Sequence, residues 1–158
     1  METTEFFKQI REGDQKTIGQ LLESQPELIH ARDQRGSTPL IMAAYYNHHG
    51  VVDQLLKNGA PVDVKDGSGN TALMGACFKG YEEVARHLID AGADVNARNG
   101  MGGTCLIFAV TFNREGIARL LIDHGADLNA VDAQGHTALY YARTQGLDAL
   151  VPLLDQQS

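Results

Sequence analysis

The sequence predicts an all-α solenoid, in which helix-turn-helix units are stacked and joined by β-hairpin-like loops. The first observation is a segment that returns every 33 residues without drift. Its four copies are DQRGSTPL at 33, DGSGNTAL at 66, NGMGGTCL at 99 and DAQGHTAL at 132. The second observation is the helical spacing of apolar residues between these copies, as in Leu40 and Ala43 and then in Val51, Val52 and Leu55. A fixed period of this length is typical of repeat architectures.

Each element of the repeated unit follows from a recurring residue, in chain order. Gly36 lies in a turn whose backbone the side chain of Asp33 can bind. Thr38 can cap the first helix with its hydroxyl, and Pro39 fits the first helical position, where its missing N–H is not needed. Gly59 ends the second helix, where a left-handed residue is favoured. The equivalents in later units are Asp66, Gly69, Thr71 and Gly92, then Gly102, Thr104 and Gly125, and finally Asp132, Gly135 and Thr137.

The residues before the first full unit keep the same period in a degenerate form. A step of 33 places Phe7 on Leu40 and Ile18 on Val51. We therefore expect one domain over residues 1–158, made of five repeats, with capping repeats at both ends. The repeats are 1–32, 33–65, 66–98, 99–131 and 132–158. Arg143 and Pro152 fall in the last unit, at a packing position and in the second helix, and both discourage further stacking. We expect a monomer.

The chain resembles the ankyrin-repeat family over essentially its whole length. The resemblance is carried by G-S-T-P-L (36–40), G-N-T-A-L (69–73), G-G-T-C-L (102–106), G-H-T-A-L (135–139) and the segments of G-A-D-V-N type. One departure is the family's His after T-P-L, which is replaced by Ile41, Met74, Ile107 and Tyr140. Other groups must then hold these loops, or the loops are looser. A second departure places Asn47 and Asn113 where the family has Gly between the helices, and Asn tolerates the left-handed conformation.

The overall composition argues against two classes of partner, nucleic acids and anionic membranes. The formal net charge is −7, whereas nucleic acids and anionic membranes reward clusters of Lys and Arg. No apolar run approaches the roughly 20 residues that span a bilayer. The first residues, METTEFFKQIREGD, carry acids where a signal peptide is basic. Two cysteines, Cys77 and Cys105, have no metal-type spacing, and we expect a cytoplasmic protein.

Motifs that suggest bound ions or catalysis fail on their spacing. DGSGN at 66–70 starts like a calcium loop, but Thr71 and Cys77 stand where Gly and Glu are required. GMGG at 100–103 is followed by no Lys, and His48 and His49 have no spaced partner ligand. Cys105 has no activating neighbour in the sequence. We therefore expect no metal, no cofactor and no enzymatic activity.

The 33-residue step aligns aromatic side chains on one side of the stack. Tyr45 and Tyr46 follow the packing residues of their helix, and Phe78 and Phe112 share their two positions in later units. The resemblance implies that these positions, with the turn residues, face a concave groove and contact partners. We predict a binding surface for a protein or peptide, in agreement with the aromatic composition of such surfaces. Its residues are Arg35, Tyr45, Tyr46, Phe78, Lys79, Arg98, Met101 and Phe112.

Charge indicates the kind of partner. Basic residues occupy the groove and the turns, namely Arg35, Lys65, Lys79 and Arg98, while acids such as Glu82 and Glu83 collect on the second helices. This distribution favours a partner with acidic or apolar segments. The function is then that of an adaptor, inhibitor or targeting subunit. Two alternatives are the recognition subunit of a larger enzyme assembly and an enzyme with a small-molecule site in the groove, for which the titratable groups lie too far apart.

Overall fold

The fold is all α, and its helices follow one another in five pairs. The computed structural model describes residues 2–155. The helices are α1 (Glu2–Glu12), α2 (Gln15–Ser24), α3 (Pro39–Tyr45), α4 (His49–Lys57), α5 (Ala72–Lys79), α6 (Glu82–Asp90), α7 (Cys105–Thr111), α8 (Glu115–Asp123), α9 (Ala138–Thr144) and α10 (Val151–Leu154), with a 3₁₀ helix at Pro26–His30. Over these residues the extended structure is limited to an isolated antiparallel bridge between Arg98 and Thr104.

Like helices pack on like helices along the stack. The first helices form one layer, in which α1 contacts α3, α3 contacts α5, α5 contacts α7 and α7 contacts α9. The second helices form the other layer, in which α2 contacts α4, α4 contacts α6 and α6 contacts α8. Each pair is therefore stabilised by its neighbours, as the predicted solenoid requires.

The predicted helix caps are present. The Oγ1 atom of Thr38 accepts a hydrogen bond from the backbone N–H of Ile41 at 3.2 Å, and Pro39 is the first helical residue. Thr71, Thr104 and Thr137 cap α5, α7 and α9 in the same way. Each Thr is the N-cap of its helix, and its hydroxyl accepts from the N–H of the third helical residue, which has no partner within the helix.

Asparagine takes the left-handed conformation where glycine was expected between the helices. Asn47 has a φ of 62° and Asn113 a φ of 57°, whereas Gly80 has a φ of 82° at the equivalent position of its own repeat. Asn is among the few residues that adopt this region readily, so the turn keeps its shape.

The loops between repeats are held by backbone contacts from tip to tip. The Oδ1 atom of Asp33 accepts hydrogen bonds from the N–H groups of Arg35 and Ser37, both at 2.9 Å. The N–H of Gly67 in the next loop donates to the carbonyl of Arg35 at 3.1 Å. The same step recurs twice, as Gly100 donates to Ser68 and Ala133 donates to Met101. The family's His is missing from these loops, and these backbone hydrogen bonds hold each loop to its neighbour in its place.

One of the residues that replace this His also binds a backbone N–H. The sulfur of Met74 accepts from the N–H of Thr71 at 3.4 Å, while the hydroxyl of Thr71 accepts from the N–H of Met74. The sulfur is a weak acceptor, but it completes a reciprocal cap at the start of α5.

A ladder of basic side chains also joins consecutive repeats. Arg32 donates to the carbonyl of Lys65 at 2.8 Å, and Lys65 donates to the carbonyl of Arg98 at 2.8 Å. The guanidinium of Arg98 in turn donates to the carbonyl of Val131. The donor and acceptor are 33 residues apart in each case. The equivalent position in the next repeat is Val131, which has no side-chain donor, so the ladder ends at Arg98. Lys65 and Arg98 therefore have a structural role that the sequence analysis did not assign.

The core extends through all five helix pairs. Buried apolar residues run from Phe6 to Leu154, and the side chain of Leu88 in α6 is fully buried. Phe6 and Phe7 in α1 are both buried. At the other end Arg143 is exposed and donates to Asp155 at 2.7 Å.

The sequence predicts Pro152 in the interior of the last helix, and this prediction is wrong. The equivalent helices start near position 148 of this register, but α10 begins at Val151 and has only four residues. Pro152 is therefore in the first turn of α10, where proline is tolerated. The last repeat is shortened at the beginning of its second helix.

Candidate partner-binding groove

Tyr45 and Tyr46 end the first helix of their repeat, and both side chains are exposed. Tyr45 is the last residue of α3 and Tyr46 is its C-cap. Their exposed fractions are 43% and 45%, while Ala43 and Ala44 just before them are fully buried. The two rings meet edge to face with centroids 5.6 Å apart. The register of the repeat thus places the packing face where it was predicted, and the rings lie beyond it.

The neighbouring repeats extend this aromatic surface. The ammonium of Lys79 lies 4.8 Å from the centre of the Tyr45 ring, a cation–π contact between α3 and α5. The ring of Phe78 lies 6.2 Å from that of Phe112 and 5.5 Å from that of Phe108. Phe112 is 49% exposed, but Phe78 is half-buried. Phe78 therefore supports its neighbours as well as facing outwards.

We call the groove the surface formed by the hairpin tips and the first helices of the repeats; the first two hairpin loops, α3 and α5 line it directly, and the ring contact between Phe78 and Phe112 extends it to the end of α7. Its N-terminal part contains a cleft of about 720 Å³. Arg35, Tyr45, Tyr46 and Phe78 line this cleft, together with Arg11, which the sequence analysis did not select. Arg11 was missed because it maps on the packing position of Ala44, and the degenerate first repeat gives no other signal.

Four of the predicted groove residues do not line this cleft. Lys79 borders it through its contact with Tyr45, and Phe112 continues the surface towards α7. Met101 is 71% exposed at a hairpin tip, and its carbonyl belongs to the tip-to-tip contacts. The guanidinium of Arg98 binds the carbonyl of Val131.

The most exposed apolar residues agree with the predicted surface. Among the residues that the structure describes, six large hydrophobic side chains are exposed, and four of them are predicted groove residues. These four are Tyr45, Tyr46, Met101 and Phe112, and the other two are Val131 and Tyr140. Repeat proteins commonly place such residues on a face that contacts a partner. Their part in binding stays a prediction.

The C-terminal end of the groove carries an aromatic cluster that the sequence analysis missed. Tyr140 is 43% exposed and stacks on His136, with centroids 3.7 Å apart. The side chain of Tyr141 donates a hydrogen bond to Asp132, which raises the pKa of Tyr141 to about 12. Tyr140 stands where Ile41, Met74 and Ile107 are buried in the other repeats. Tyr140 therefore differs in burial from the residues that share its position in the other repeats, and within residues 3–155 no later repeat packs against it.

The second helices carry the acidic surface. Glu82 pairs with Arg86 at 3.0 Å, and Glu115 pairs with Arg119 at 3.0 Å. These pairs are exposed and lie four residues apart on one helix face, an arrangement that adds little to stability. These acids thus lie on the second helices, while the turn aspartates Asp33 and Asp66 line the cleft beside Arg35.

The two cysteines lie closer together than their spacing indicated. Both are free and fully buried. Burial, together with the neighbouring Cys105 side chain, raises the pKa of the Cys77 thiol well above its usual range. The sequence analysis gave Cys105 no neighbour, and the structure places it beside Cys77. A buried protonated thiol is a poor nucleophile, so this contact does not activate Cys77.

The histidines considered as ligands make other contacts. The Nε2 atom of His48 lies 2.7 Å from the carbonyl oxygen of Arg11 and joins the first two repeats. Within residues 3–155, no three His, Cys, Asp or Glu side chains come together in a way that could hold a metal ion. Over the same span, no helix has both the length and the apolar composition needed to cross a membrane.

Two family models match the chain. The model described as ankyrin repeats (3 copies) matches residues 7–99, which is more than half of the chain. The model described as ankyrin repeats (many copies) matches residues 88–142. The two matches overlap in the central repeats, and together they extend from α1 to α9.

Proposed function

Because the chain belongs to the ankyrin-repeat family, we propose that it binds a protein or peptide partner through its groove and catalyses no reaction itself. Ankyrin repeats are generally protein–protein interaction modules. The proposed contact residues are those that the repeat register selects, namely Arg35, Tyr45, Tyr46, Phe78, Lys79, Arg98, Met101 and Phe112.

The observation that carries this proposal is the exposure of Tyr45 and Tyr46 at the border of a cleft. More than two fifths of the surface of each residue is accessible to solvent. Tyrosines contribute large contact areas and a polar hydroxyl at a small entropic cost, and they are enriched among residues that dominate binding energy. The Lys79 contact and the edge-to-face contact of the two rings support a preformed surface.

Electrostatics supports an acidic partner. Arg35 and Lys79 lie on the groove, while Glu82, Glu83 and Glu115 lie on the outer helices, away from it. A protein with net charge −7 repels acidic partners at long range, so the local basic residues would orient such a partner towards the groove.

The role that fits these features is that of an adaptor, inhibitor or targeting subunit. A recognition subunit of a larger enzyme assembly would use the same surface. We further propose a cytoplasmic monomer, since Cys77 and Cys105 are free thiols, and Arg143 with the short α10 disfavours stacking of another copy. Sedimentation over a wide concentration range should give the monomer mass throughout.

Photo-crosslinking tests which surface the partner contacts. Met101 is replaced by benzoylphenylalanine, and the matched control carries the same group at Glu83 on the outer face. We expect irradiation in a native lysate to link the Met101 variant to a discrete partner and the Glu83 variant to little of it. A partner captured equally or better from Glu83 would place the binding surface on the outer helices instead.

A further inference from the structure

Two arginines differ from all the others in their contacts. The chain has eight arginines, and six of them donate to an oxygen. Arg32, Arg98 and Arg114 bind backbone carbonyls, while Arg86, Arg119 and Arg143 bind carboxylates. Within the described residues, the side chains of Arg11 and Arg35 have no oxygen partner. A guanidinium has five N–H donors, so both side chains retain unused hydrogen-bonding capacity.

Both of these arginines line the same cleft. Arg35 comes from the first hairpin tip and Arg11 from the end of α1. The Nη1 atom of Arg11 lies 3.9 Å from the sulfur of Met42, which also lines the cleft. A thioether is only a weak acceptor, so this contact positions the guanidinium without neutralising it.

Arg143 provides an internal comparison for Arg11. The 33-residue step places both at the packing position of Ala44, one in each terminal repeat. Arg143 is paired with Asp155 at 2.7 Å, whereas Arg11 lines the cleft with no carboxylate of residues 3–155 within ion-pair distance. The arginine at this position is therefore ion-paired in the last repeat and, among the described side chains, has no ion pair in the first.

The rest of the cleft combines apolar residues with polar ones, among which two carboxylates carry charge. Ile41 and Phe78 contribute apolar surface, and Tyr45 and Tyr46 form an aromatic border. Asp33 and Asp66 also line the cleft, but the Oδ1 atom of each accepts two backbone N–H groups of its own loop, which offsets part of its charge. The unused donors in the cleft thus lie next to apolar surface.

We propose that this cleft binds an acidic segment of the partner protein, in which Asp or Glu side chains stand next to an apolar residue. The carboxylates would be held by Arg11 and Arg35, since a guanidinium forms two parallel hydrogen bonds with a carboxylate. The apolar residue would lie against Phe78, Tyr45 and Tyr46. This inference rests on the proposed function and adds the partner's chemistry and the role of Arg11.

A displayed library of random peptides provides a probe that does not require the natural partner. The library is selected on the wild-type chain, on R11Q/R35Q and on the control R86Q/R119Q, which removes two paired arginines from the outer helices. Thermal unfolding confirms that each variant is folded. Peptides from the wild type and from the control should be enriched in Asp or Glu beside apolar residues. Peptides from R11Q/R35Q should lose the acidic enrichment.

The consensus peptide from the wild type is then synthesised with a fluorescent label. Its affinity should fall about tenfold or more in R11Q/R35Q, and change less than about twofold in the control. R11K/R35K should be intermediate, because lysine keeps the charge without the forked geometry. Selected peptides without acidic enrichment, or an unchanged affinity in R11Q/R35Q, would overturn this inference.

The same peptide separates this failure from failure of the proposed function. Binding that ignores the arginines but is lost in Y45A/Y46A would leave the groove as the site and remove only the acidic specificity. Binding at full strength to Y45A/Y46A would contradict the groove itself.

Discussion

The Nδ1 atom of His87 lies 2.6 Å from the Oδ1 atom of Asp53, and this contact joins α6 to α4 in the preceding repeat. The Nε2 atom of His87 lies 3.5 Å from Glu83, and its ring is 5.5 Å from that of His49. The hydrogen bond with Asp53 raises the pKa of His87, although partial burial opposes the shift. We therefore expect the stability of the contact between these two repeats to depend on pH.

The first prediction concerns this dependence. A pKa raised in the folded state means that the stabilisation is complete below the unfolded value of about 6.5, and is lost as the pH rises through the folded value. Asp53→Asn should therefore lower the free energy of unfolding more at about pH 5.5 than at about pH 8.5, by roughly 0.5 kcal/mol. Urea unfolding at the two pH values measures the difference.

Glu115→Gln is the matched control for that prediction. Glu115 pairs with Arg119, which stays charged at both pH values. Glu115→Gln should lower the free energy of unfolding by nearly the same amount at the two pH values. An equal pH dependence in both variants would show that the His87 contact is not its source.

The second prediction concerns nearest-neighbour stabilisation. Leu88 is fully buried in the central repeat, whereas Leu153 is half-buried in the short α10. Leu88→Ala should cost about 2–5 kcal/mol, because it leaves a cavity between packed repeats. Leu153→Ala should cost clearly less. Urea unfolding followed by circular dichroism compares the two variants. Equal losses of stability would argue against a stack in which the central repeat is stabilised by more neighbours than the last one.

The third prediction concerns the basic ladder. Lys65→Met removes a hydrogen bond to the carbonyl of Arg98 while keeping an aliphatic stem, and should cost roughly 0.5–1 kcal/mol. Lys57→Met is the control, since Lys57 is exposed in the last turn of α4 and should change stability by less than about 0.5 kcal/mol. If both variants melt at the same temperature, the ladder contributes nothing measurable.

The periodic features of the sequence were sufficient to predict the fold. Every copy of the unit needs a helix cap and the same turns. Thr38, the turn aspartates and Asn47 supply them, so the roles found in one copy predict those in the others. The exposure of Tyr45 and Tyr46 followed from the same step of 33 residues. The basic ladder could also have been found, because Arg32, Lys65 and Arg98 share that step.

The departures from the period could not be predicted in the same way. Arg11, Tyr140 and Pro152 all lie in the first or last of the described repeats, each of which packs against a described neighbour on one side only. A side chain at a packing position can then turn outwards, as Arg11 does, or remain uncovered, as Tyr140 does. The contact between Cys77 and Cys105 joins two different positions of the unit, so a comparison of equivalent positions does not reveal it.

The central claim, that the groove binds the partner, depends on two exposed aromatic residues that we expect folding not to require. Replacement of Tyr45 and Tyr46 by Ala removes an exposed cation–π contact with Lys79 and an edge-to-face ring contact. Each is worth about 0.5–1 kcal/mol, so the melting temperature should fall by only a few degrees. Glu82→Gln with Glu83→Gln on the outer helix is the control, and should change neither stability nor binding appreciably.

The most direct test measures stability and partner affinity in the same Tyr45→Ala, Tyr46→Ala variant. We predict a folded protein with a melting temperature within about 5 °C of the wild type and a partner affinity weaker by ~2 kcal/mol or more. An unfolded variant would mean that the tyrosines belong to the core, and a folded variant that binds its partner at full strength would mean that the groove is not the site.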